Sequence, residues 1–94
     1  MSLAALIRER LAPLAPQRLD LRDDSAAHAG HAGARESGGG HFELTLVSAA
    51  FTGKSTLARH RLVYERVADL MPHRIHALSI RALAPGETDQ KATP

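Results

Sequence analysis

Residues 51–80 read FTGKSTLARHRLVYERVADLMPHRIHALSI, and they spell a turn, a helix and a strand in that order. Gly53 sits in the turn and Ser55 is a helix N-cap residue. Leu57, His60, Val63, Tyr64, Val67 and Met71 then recur at helical spacing. The pattern predicts a helix from about Thr56 to Leu70, ended by Pro72. Residues 75–83 read as a strand. Strict alternation puts His76, Leu78, Ile80 and Ala82 on one face and Ile75, Ala77, Ser79 and Arg81 on the other.

Working outward, residues 41–48 alternate Phe42, Leu44 and Leu46 against His41, Glu43 and Thr45, a second strand. Residues 18–23, RLDLRD, place Leu19 and Leu21 inward in another. Ser2 can cap a first helix carrying Leu3, Leu6, Ile7 and Leu11, which Pro13 and Pro16 stop. The order is α-β-β-α-β. A three-stranded sheet whose apolar face is covered by two helices makes an α+β two-layer sandwich. The first two strands are expected to form an antiparallel hairpin, and the third, returning after a helix, to run parallel to one of them. Residues 1–85 form one domain in this reading, and residues 86–94, without periodicity, are expected to be a disordered tail.

Composition narrows the function classes. Apolar residues make up 44% of the 94, but aromatics only 3%, so the core is aliphatic. The absence of cysteine excludes a disulfide framework and any metal site built from the chain's own thiolates. No apolar run is long enough to cross a bilayer. Glu9, the early prolines and the lack of a long apolar stretch argue against a targeting peptide at the N-terminus, so a cytoplasmic location is expected. No nucleophile–base pair or paired acids point to an enzyme. Gly53-Lys54-Ser55 imitates the end of a phosphate-binding loop, but the upstream glycine of that motif is missing.

Two features remain to be explained. Residues 24–40 separate two strands that a few residues would join, and this stretch is rich in glycine, alanine and histidine, with His28 and His31 three apart. Imidazoles from a loop and from a strand start, in a chain without sulfur ligands, suit a metal site begun by another molecule. A mononuclear zinc site from His28, His31 and His41 lacks any familiar accompanying spacing. Positive charge, meanwhile, gathers in residues 51–81, which carry a local excess of four.

The segment ELTLVSAAFTGKSTLARHRLVY followed by IHALSI resembles the BolA family, and the likeness extends back through LDLRDDSAAHAG to the first helix. Its most specific elements are Phe51-x-Gly53, Arg59-His60-Arg61-x-Val63-Tyr64 and Ile75-His76-Ala77-Leu78. The resemblance implies a fold similar to the class II KH domain. It also implies a heterodimer with a monothiol glutaredoxin that shares a [2Fe-2S] cluster, held on the far side by a cysteine and by glutathione. On this side the matching ligands are His76 and, in the loop, His28, with His31 as the alternative loop ligand. Imidazole in place of thiolate removes ligand charge and raises the reduction potential of such a cluster. Protonation of the imidazole would release it. His60, on the helix face with Val63 and Val67, is expected to pack and support His76 without binding metal, and His41 and His73 to be surface residues.

The alternative is a DNA-binding transcriptional regulator of KH-like fold using Lys54, Arg59, Arg61 and Arg66. The Gly-x-x-Gly loop with which KH domains clamp RNA is absent here, because Thr56 stands where the second glycine belongs. Association with a second copy of the chain stays open.

Overall fold

The computed structural model describes residues 2–24 and 40–87. Helix α1 spans Leu3–Leu11; the Ser2 hydroxyl caps it by accepting from the Ala5 amide at 3.0 Å. A 3₁₀ turn over Ala12–Leu14, with Pro13 near its start where no amide is needed, ends the helix. Strand β1 covers Arg18–Asp23 and β2 covers Gly40–Val47. Helix α2 covers Thr56–Val67, capped by Ser55, whose hydroxyl accepts from the Ala58 amide at 3.1 Å. The last turn expected of this helix, Ala68–Leu70, tightens to 3₁₀. Strand β3 covers Ile75–Leu83.

The sheet order is β1-β2-β3, with β1 antiparallel and β3 parallel to β2. The expected α+β arrangement therefore stands, with β2 as the central strand. Phe42, Leu44 and Leu46 from β2 meet Ile7 and Leu11 from α1, Val63 and Val67 from α2, and Ile75 and Leu78 from β3 in one largely aliphatic core. Phe51, in the turn between β2 and α2, is fully buried in it. Each such side chain contributes roughly 1.5–3 kcal/mol on leaving water. Gly53 has φ +76°, a left-handed conformation that most side chains avoid, and it reverses the chain into α2. The Gly-Lys-Ser stretch is thus a turn followed by a helix cap.

Two expectations about faces fail. Leu57 and Tyr64, placed by helical spacing beside Val63 and Val67, are 62% and 39% exposed. A 12-residue helix against a three-stranded sheet buries a narrow stripe, and these two positions lie outside it. Strand β3 also breaks its alternation: Ile75 is fully buried, His76 and Ala77 are both exposed, and Leu78 is buried again. The cause is a register shift against β2, where Gly40 pairs with Ile75 but His41 pairs with Ala77. One extra residue on β3 is a β-bulge, and it turns His76 from the core face to the solvent.

Electrostatic ties fix the helices and the end of the domain. Arg10 is ion-paired with Asp69, and Arg66 Nε donates to the Arg10 carbonyl at 3.1 Å, joining the two helices. Glu87, placed in the tail by sequence, is bound into the fold: its carboxylate takes two bonds from Arg59, at 2.6 and 3.0 Å, and one from the Ala84 amide at 3.0 Å.

Candidate metal centre at the strand bulge

The bulge brings together two histidines that lie 35 positions apart in sequence. The ring centroids of His41 and His76 are 5.2 Å apart, with ring planes inclined by 44°. His41 belongs to the central strand and is half-buried, so it is not the free surface residue that its sequence position suggested. Its backbone is held on both sides: by pairing opposite Ala77 and by the Asp24 amide, which donates to its carbonyl at 2.7 Å. His76, exposed on the edge strand, is the accessible member.

The same end of the sheet anchors the glycine-rich segment. Asp24 bonds to His41, and the Gly40 amide donates to the Arg74 carbonyl at 3.0 Å, so both ends of the connection carrying His28 and His31 meet the sheet next to the pair. His28 and His31 themselves lie outside the described residues. Among the described residues, no three histidines, cysteines or acids are placed to hold a metal ion. A metal at His76 would need further ligands from the loop or from a partner.

His60 is half-buried on α2. The neighbour that sequence missed is His41. The pattern carried only a weak signal for it: both histidines flank the start of a strand, and a parallel pairing of those strands brings their starts together.

The basic residues divide into two groups. Arg59 is only 13% exposed and spends its guanidinium internally, on the Lys54 carbonyl at 2.9 Å, the Ala82 carbonyl at 3.0 Å and both oxygens of Glu87. The bonds to Glu87 raise the Arg59 pKa, and together with the Ala84 amide they hold the Glu87 carboxyl down at about 2. Arg66 commits one donor to α1. Lys54 and Arg61 are exposed.

These observations give most of the motif residues a structural task. Phe51 fills the core, Gly53 makes the turn, Arg59 clamps the C-terminal end, and Val63 packs against the sheet. The Tyr64 hydroxyl donates to the Leu78 carbonyl at 3.2 Å. His76 is left with a side chain turned away from the core, beside the His41 ring.

The family model described as BolA-like protein matches residues 11–87. The chain belongs to the BolA-like family. This BolA-like domain is 48% identical over 86 residues to SufE-like protein 1, chloroplastic/mitochondrial, of Arabidopsis thaliana, across 86% of its own length and 23% of that protein's. The solved BolA domain of SufE1 from the same plant superposes with a TM-score of 0.78 at 43% identity, covering 94% of this chain and 98% of that one. BolA-like protein 1 of Mus musculus is 40% identical over 84 residues, 88% of this chain and 58% of that protein. Escherichia coli DNA-binding transcriptional regulator BolA is 36% identical over 80 residues, 80% of this chain and 72% of that protein. The BolA-like chain thus spans about a quarter of the plant protein and rather more than half of the mouse one. Among the described residues, no helix is long and apolar enough to cross a membrane.

Proposed function

We propose that this BolA-like domain pairs with a monothiol glutaredoxin and lends imidazole nitrogen to a [2Fe-2S] cluster shared between them, in iron–sulfur trafficking or iron- and redox-linked regulation. The observation that carries the reading is the exposed His76, turned outward by the bulge at an accessible strand edge. A side chain so placed can reach a metal on another molecule without disturbing the core. Its donor chemistry fits: neutral imidazole binds iron, and a chain without cysteine leaves the sulfur ligands to a partner. When bound, the cluster supplies a redox-active, acid-labile group, with a potential raised by nitrogen ligation.

This chain's residues orient and present the donors. Buried Ile75 and Leu78 pin the backbone on both sides of His76, limiting the freedom it loses on ligation. The second nitrogen is assigned to His28, with His31 as its alternative, on the connection tethered at Asp24 and Gly40. The domain acts as a carrier or sensor and not as an enzyme. Glutathione-dependent assembly suits a reducing compartment such as the cytoplasm.

The test is reconstitution with a monothiol glutaredoxin, glutathione, iron and sulfide, followed by visible circular dichroism. His76→Ala should change the spectrum and shorten the cluster's lifetime. An unchanged spectrum and lifetime would remove His76 from the ligand set.

DNA binding is the second reading, favoured by the name of the Escherichia coli relative. The exposed cations Lys54 and Arg61 are the residues to carry it, with Arg59 and Arg66 engaged in the fold. Duplex DNA should then bind with a steep salt dependence that Lys54→Glu and Arg61→Glu both reduce. Binding that neither charge reversal weakens would exclude this surface.

A further inference from the structure

We propose that His41 is a second metal-facing nitrogen beside His76, and that the two rings form a chelate for one transition-metal ion of the kind imidazole favours. The argument is geometric. With metal–nitrogen bonds of about 2.1 Å and roughly 1.1 Å more to each ring centre, two imidazoles on a tetrahedral ion have centroids about 5.2 Å apart. The His41 and His76 centroids are 5.2 Å apart before any metal is added. Two adjacent donors chelate, so the second bond forms with little further loss of freedom.

The backbone explains why the separation is held. His41 lies on the central strand, fixed by Asp24 on one side and Ala77 on the other. The bulge supplies the rest. Without the extra residue on β3, alternation would carry the His76 ring to the core face, away from His41. Ala77, opposite His41, carries only a methyl group.

The remaining coordination positions go to water in the isolated chain. That His76 also faces the shared cluster rests on the reading under Proposed function; the chelate itself does not. It is therefore tested on the chain alone, with Zn²⁺ as the probe and with His28→Ala and His31→Ala as background to silence the loop. Calorimetry of Zn²⁺ binding should show one site, weakened at least tenfold by His41→Asn and by His76→Asn separately. Histidine ring nitrogen signals of the background protein should move for His41 and His76 together, with those of His60 and His73 unmoved. The ring signals decide the question even where a variant folds poorly. Zn²⁺ that moves His76 but not His41, or an affinity unaltered by His41→Asn in a folded variant, overturns the proposal. Failure of cluster assembly with glutaredoxin by the zinc-free wild-type chain, with Zn²⁺ binding at the pair established separately, would instead overturn the proposed function and leave the chelate standing.

Discussion

Replacing Arg59 by alanine should cost stability before it costs any recognition of a partner. The guanidinium joins the turn before α2, the end of β3 and the side-chain carboxylate of Glu87 through four hydrogen bonds. Its two bonds to main-chain carbonyls, at 2.9 and 3.0 Å, each contribute about 1.5 kcal/mol, the low end for a charged donor because the rim of the site is partly wet. Their loss amounts to about 3 kcal/mol, a large share of the roughly 5–15 kcal/mol that holds a small domain together. A domain of this size loses roughly 4–8 °C in Tm per kcal/mol, so thermal unfolding followed by far-ultraviolet circular dichroism should shift down by about 12–24 °C. Glu87→Gln keeps an oxygen for the Ala84 amide and should cost less, and the double variant should cost less than the sum of the two. A Tm for Arg59→Ala within about 3 °C of wild type, with unfolding still cooperative, would refute the clamp. It would also return Arg59 to the set of residues available to DNA.

The Glu87 carboxyl, held at about 2 by Arg59, gives the fold a pH-dependent increment. A depressed carboxylate stabilises fully above its unfolded pKa of about 4.3 and loses that contribution as the pH falls toward 2. Wild type should therefore lose more Tm than Glu87→Gln between about pH 5 and pH 2, and parallel curves would contradict the assignment. Ser48 is fully buried; its hydroxyl donates to the Leu14 carbonyl at 2.5 Å and accepts from the Ala50 amide at 3.0 Å. Ser48→Ala strands both groups and should cost about 1–3 kcal/mol in urea unfolding with an unchanged slope. Ser2→Ala, which removes only the exposed cap of α1, should cost about 1 kcal/mol or less, and a larger loss would mean that α1 does more than pack.

The elements were legible in the sequence because each carries its own local signal. Ser2 and Ser55 cap, Pro13 and Pro72 stop, and Phe42, Leu44 and Leu46 alternate on a strand with one buried face. The bulge was not legible, since its cause lies in the register between β2 and β3 and not within β3. A strictly alternating reading placed His76 among the core residues, and one extra residue reverses that. His41 was overlooked for the same reason: its proximity to His76 follows from parallel pairing of two strand starts. Arg59 read as an exposed cation because the sequence places Glu87 in a structureless tail, and only the fold returns that carboxylate to the helix. Leu57 and Tyr64 fit the helical period but fall beyond the stripe that a three-stranded sheet can cover. His28 and His31 lie outside the described residues, and their assignment rests on the resemblance to the BolA family.

The most direct test of the nitrogen-donor role labels this chain alone with ¹⁵N-histidine, assembles it with unlabelled monothiol glutaredoxin, glutathione, iron and sulfide, and reduces the cluster for pulsed electron paramagnetic resonance. The account predicts a strong ¹⁵N hyperfine coupling from a directly bound imidazole, diminished by His76→Ala. A cluster that forms in the joint complex with no such coupling would contradict it.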